Sequence, residues 1–87
     1  MERIIKFTPK ANEDILFFKK SGQNKVLKKI RELLESILKN PFKGIGKPEP
    51  LKYSLSGVWS RRINKEHRLI YEVIEDRIFV LSVRGHY

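Results

Sequence analysis

Val58-Trp59-Ser60-Arg61-Arg62-Ile63-Asn64, His67-Arg68-Leu69-Ile70-Tyr71-Glu72-Val73-Ile74 and Arg77-Ile78-Phe79-Val80-Leu81-Ser82-Val83-Arg84 are three runs rich in β-branched and aromatic residues. Polar turns near Asn64-Lys65 and at Glu75-Asp76 part them, so the C-terminal half reads as three antiparallel strands. Working outward toward the N-terminus, residues 41–57 change character. Three of the chain's four prolines (Pro41, Pro48, Pro50) lie there with Gly44, Gly46 and Gly57, the mark of a connecting loop. A loop of that length in so small a chain is more often functional than idle.

Before the loop, Val26, Leu27, Ile30, Leu33, Leu34, Ile37 and Leu38 form a continuous apolar stripe at helical spacing. Lys28–Glu32 and Arg31–Glu35 are i,i+4 pairs on the other face, and Asn40-Pro41 stops the helix. An earlier helix starts at Thr8-Pro9, a capping hydroxyl followed by a residue with no amide to satisfy. Ala11, Ile15 and Phe18 give its buried side and Ser21-Gly22 its end, while Arg3 to Phe7 reads as a short first strand. The order β-α-α-β-β-β predicts one α+β domain over residues 1–87, a mostly antiparallel four-stranded sheet with both helices on one face.

Composition narrows the function classes. Nineteen Lys and Arg against ten Asp and Glu give a formal charge of +9, a field that attracts polyanions. No run approaches the ~20 apolar residues of a membrane span. Met1 to Lys6 lacks a secretion signal's apolar core, and with no cysteine the chain suits a reducing cytoplasm. His67 and His86 are the only histidines, so a histidine-rich zinc site is not expected, nor any other cofactor.

A two-residue turn at Glu75-Asp76 makes partners across the last hairpin sum to about 151. Arg68 then lies opposite Val83, and Arg62 comes close to Arg68 across the preceding turn. Arg62, Arg68 and Arg84 are thereby expected near one end of adjacent strands, beside His86-Tyr87. A one-residue slip would change which face each arginine takes. Trp59, Arg61 and Ile63 share one face of their strand, and Val58, Ser60 and Arg62 the other. Basic edges of this kind are often only solvated surface, and Trp59 and Tyr87 suit packing as well as stacking on bases. Taken together, the groups suit metal-independent RNA cleavage. Glu49 or Lys52 could take the 2′-hydroxyl proton, His86 protonate the departing 5′-oxygen, and Arg62 and Arg68 clamp the phosphate.

The run Asn40-Pro41-Phe42-Lys43-Gly44-Ile45-Gly46-Lys47-Pro48-Glu49-Pro50-Leu51-Lys52 resembles the loop of the Txe/YoeB toxins of the RelE superfamily. So do Leu55-Ser56-Gly57-Val58-Trp59-Ser60-Arg61-Arg62-Ile63, Glu66-His67-Arg68-Leu69-Ile70-Tyr71 and the ending Arg84-Gly85-His86-Tyr87. The resemblance implies a RelE-like fold and a toxin that cuts mRNA in the ribosomal A site without metal, leaving a 2′,3′-cyclic or 3′-phosphate and a 5′-hydroxyl. It implies Glu49 as general base, His86 as general acid and Arg68 at the transition-state phosphate. Lys52, Arg62 and Tyr87 take supporting roles, with Arg61, Trp59 and Arg84 as further candidate RNA contacts. A YefM/Axe-like antitoxin is the implied protein partner, and a homodimer is left open. Two rivals remain: a ParE-like toxin that poisons gyrase, and a ribosome-binding inhibitor that does not cut.

Overall fold

The computed structural model describes residues 3–51 and 57–85. Seven elements follow in chain order: β1 (Ile4–Phe7), α1 (Pro9–Lys20), α2 (Asn24–Lys39), β2 (Glu49–Pro50), β3 (Val58–Arg62), β4 (Arg68–Ile74) and β5 (Arg77–Ser82). The helices begin and end where local chemistry dictates. Thr8 Oγ1 accepts the Ala11 amide at 3.2 Å, and Pro9 fills the first turn. After Lys39 the Asn40 side chain accepts the Phe42 amide at 2.9 Å, a local turn that competes with further helix.

The sheet has five strands in the order β1-β5-β4-β3-β2, one more than the sequence suggests. The addition comes from inside the proline-rich loop. Glu49 and Pro50 pair with Ser60 and Trp59 as a two-residue edge strand, which proline permits because an edge need not donate outward. β1 lies parallel to β5, Ile4 with Arg77 through Phe7 with Val80, and the other pairings are antiparallel. Ladder numbers sum to 151 from Ile74–Arg77 to Tyr71–Val80, as the turn predicts. An irregularity between Ile70 and Tyr71 then pairs Ile70 with Ser82, so Arg68 does not face Val83 as expected.

Helices and sheet meet over a core of Ala11, Phe18, Val26, Ile30, Leu33 and Ile37 against Ile63, Leu69, Tyr71, Ile78, Val80 and Val83. Burying such side chains contributes roughly 1.5–3 kcal/mol each, which is what fixes α1 and α2 to this face. Leu38, part of the expected stripe, stays 39% exposed at the end of α2. The opposite face carries the alternate residues, among them Arg62 and Arg68. Among the described residues, no helix is long and apolar enough to cross a membrane.

Candidate active site

The loop after α2 is built around one arginine. Arg61 points from β3 toward the helices and is fully buried. Its Nε donates to Tyr71 Oη (3.1 Å), Nη1 to Ser36 Oγ (2.7 Å) and the Ile45 carbonyl (3.1 Å), and Nη2 to the carbonyls of Asn40 (2.8 Å) and Lys43 (3.1 Å). All five guanidinium donors are thus used. Tyr71 Oη in turn donates to the Pro41 carbonyl at 2.6 Å. Burial raises the Tyr71 phenol above its ordinary value, while the Arg61 hydrogen bond and charge pull the other way. Arg61 is therefore not an RNA contact, contrary to the sequence reading: it has neither surface nor a spare donor to offer.

The remaining turns aim the loop at the sheet's edge. Gly46 adopts φ +83°, and its carbonyl accepts the Arg62 amide at 2.7 Å. Phe42 packs its ring 5.1 Å from that of Trp59. Trp59 lies on the helix-facing side of β3, packed against the core, so it is not brought to the face that carries Arg68. The loop then enters β2 and sets Glu49 directly across from Ser60.

On the face away from the helices, Arg62 and Arg68 are direct cross-strand partners, as the turn near Asn64-Lys65 implies. Like charges so placed repel. Glu49 approaches from two strands away, its Oε1 3.5 Å from Arg68 Nη1. With Glu49 62% and Arg68 26% exposed, this contact adds little stability and leaves both groups open to solvent. Between them Ser60, 1% exposed, has a hydroxyl with no hydrogen-bond partner. An unsatisfied buried hydroxyl costs about 1–3 kcal/mol. Among the described residues, no three acidic or histidine side chains converge as a metal site would require.

Arg84 does not join the pair. After Ser82 the chain leaves the ladder, Val83 turns into the core, and the Arg84 guanidinium sits 3.5 Å over the Phe17 ring on α1. The three-arginine cluster expected from the sequence is thus two arginines and a carboxylate. Lys52, His86 and Tyr87 lie outside the described residues. Sequence reasoning missed Ser60, although its strand parity with Arg62 placed it on the right face. It also missed Asp14, buried on the core side of α1, and His67.

A sequence profile of the YoeB-like toxins of bacterial type II toxin–antitoxin systems matches residues 7–87. This chain belongs to that family. It is 49% identical over 83 residues to Toxin YoeB of Synechocystis sp., covering 95% of both chains. The YoeB dimer from Staphylococcus aureus superposes with a TM-score of 0.89 at 48% identity, covering all of both chains. YoeB in the heterotetrameric YoeB–YefM toxin–antitoxin complex from the same organism superposes with a TM-score of 0.85 at 48% identity, again over all of both chains. The two staphylococcal YoeB structures therefore align with this fold over its full length.

Proposed function

We propose that this toxin is a ribosome-dependent, metal-independent endoribonuclease that cuts mRNA in the A site, and that residues 1–87 form its single catalytic domain. The observation that carries the reading is the opposed Arg62–Arg68 pair beside Glu49 on the open face. Two guanidiniums placed to repel each other are relieved by an anion between them, and a planar fork suits phosphate oxygens.

In the proposed reaction Glu49 accepts the proton of a ribose 2′-hydroxyl, and the 2′-oxygen attacks the adjacent phosphorus. Arg68, with Arg62, holds the phosphate as negative charge accumulates. The P–O5′ bond breaks as His86 gives its proton to the leaving oxygen, producing a 2′,3′-cyclic phosphate and a 5′-hydroxyl. Glu49, which contacts Arg68, is read as the base, with Lys52 the alternative. Lys52 and Tyr87 orient the RNA. The toxin acts in the bacterial cytoplasm and is neutralised by a YefM/Axe-like antitoxin. Self-association follows the dimer seen for the staphylococcal relative.

Primer extension on programmed ribosomes in EDTA, with Arg68→Ala alongside, tests the reading. A new 5′-hydroxyl end at the A-site codon is expected, reduced at least about 100-fold in the variant, the usual scale for a lost charge-stabilising donor. Stalled translation with intact mRNA would make the protein a blocker. Loss of gyrase activity with translation untouched would place it with the ParE-like toxins.

A further inference from the structure

The segment that follows β5 is tied down by side chains with no part in the cleavage scheme. Asp14, on α1, is 3% exposed, and its Oδ2 accepts the Val83 amide at 3.1 Å. Lys10, one turn earlier, donates to both of its oxygens at 2.7 and 2.8 Å and balances the buried charge. Two residues further on, the Gly85 amide donates to His67 Nδ1 at 2.9 Å, and the Gly85 carbonyl accepts the Arg68 amide at 2.9 Å. A ring nitrogen that accepts carries no proton, so the imidazole keeps its hydrogen on Nε2.

His67 is itself held on several sides. Its ring stands edge-on to Phe18, 5.0 Å between centroids, and its amide donates to Asn64 Oδ1 at 2.8 Å. Its carbonyl accepts the Ile63 and Asn64 amides. Gly85 turns there with φ +84°, a conformation side-chain-bearing residues rarely adopt. A ladder that had simply frayed would leave these amides to water. Here a buried carboxylate and an oriented imidazole take their place, one residue before His86 and beside the backbone of Arg68.

We propose that His67 is a positioning residue for RNA cleavage, with Asp14 as its support: together they fix Val83–Gly85, the stretch of chain that leads into His86. This rests on the reading of His86 as the general acid. A misplacement of ~1 Å in such a group can cost about 100-fold in rate.

The test uses the full-length toxin on programmed ribosomes. His67→Leu keeps an apolar side chain against Phe18 but removes the acceptor, and His67→Asn puts an amide oxygen near the Nδ1 position. Expected for His67→Leu is a kcat lower by about 10- to 100-fold, with KM for ribosomes and the melting temperature little changed. His67→Asn should recover most of the rate. Because His67 acts through the residue after Gly85, His67→Leu combined with His86→Ala should be no slower than His86→Ala alone. Full activity of His67→Leu beside an inactive His86→Ala would overturn this proposal and leave the nuclease reading intact. Additive losses in the double variant, or a loss that merely tracks a lowered melting temperature, would also overturn it. Normal cleavage by His86→Ala would remove the acid assignment and this proposal together.

Discussion

Replacing Arg61 by Met keeps the length and apolar stem of the side chain and removes its five donors. Summed at about 1.5–3 kcal/mol per charged hydrogen bond, the five contacts would total about 7–15 kcal/mol. That sum overstates the loss, because the wild type also bears the cost of desolvating a guanidinium, several kcal/mol. Asn40, Lys43 and Ile45 are also otherwise exposed, so water reaches their carbonyls once the loop loosens. Removing one side of a buried polar cluster leaves about 3–5 kcal/mol as the expected destabilisation. At 4–8 °C per kcal/mol for a chain of this size, the melting temperature should fall by roughly 12–40 °C. Urea unfolding followed by circular dichroism reads the free energy directly, and Arg61→Lys, which keeps the charge but not the fork, should fall between. If Arg61→Met unfolds at the wild-type midpoint while its affinity for ribosomes drops, the cage argument fails and Arg61 touches RNA after all.

Alkaline pH should act through Tyr71. Its folded phenol holds a proton to higher pH than the unfolded one, so the stability it contributes is intact below about pH 10 and lost as pH rises beyond. Absorbance of tyrosinate should show one of the three tyrosines ionising late and together with unfolding, a phase that Tyr71→Phe removes. A late phase that persists in Tyr71→Phe would assign it elsewhere. Gly46→Ala puts a Cβ at φ +83°, 2.6 Å from Leu33 Cδ2 and 3.2 Å from the Arg62 carbonyl. It should cost about 1–3 kcal/mol in urea unfolding, and a neutral result would mean the loop relaxes without strain.

Most of the architecture was legible in periodicity and turn chemistry. The α2 stripe, the Thr8-Pro9 start and the Glu75-Asp76 hairpin each rest on local rules, and each is found. β2 was not legible, because a two-residue strand has no period and its prolines argue for a loop. The irregularity at Ile70–Tyr71 was invisible for a related reason: a register shift inside a ladder leaves no mark in periodicity or turn chemistry. The same physics limited the site. Arg62 opposite Arg68 follows from a nearby turn and could be read, whereas the burial of Arg61 depends on the loop folding back over α2. One strand therefore carries two adjacent arginines with opposite fates, one caged by carbonyls and one facing solvent. No composition rule separates them.

The parallel pairing of β1 with β5 has a consequence for synthesis. Ile4 finds its neighbour only at Arg77 and Phe7 only at Val80, while Asp14 waits for Val83. During translation the first strand and first helix are therefore made long before anything exists for them to close against. The core that α1 and α2 build with Ile63, Leu69 and Tyr71 stays open on the side of Ile78, Val80 and Val83 until β5 emerges, a late, non-local closure of the kind that slows folding. A toxin organised in this way completes its core only once β5 has been made.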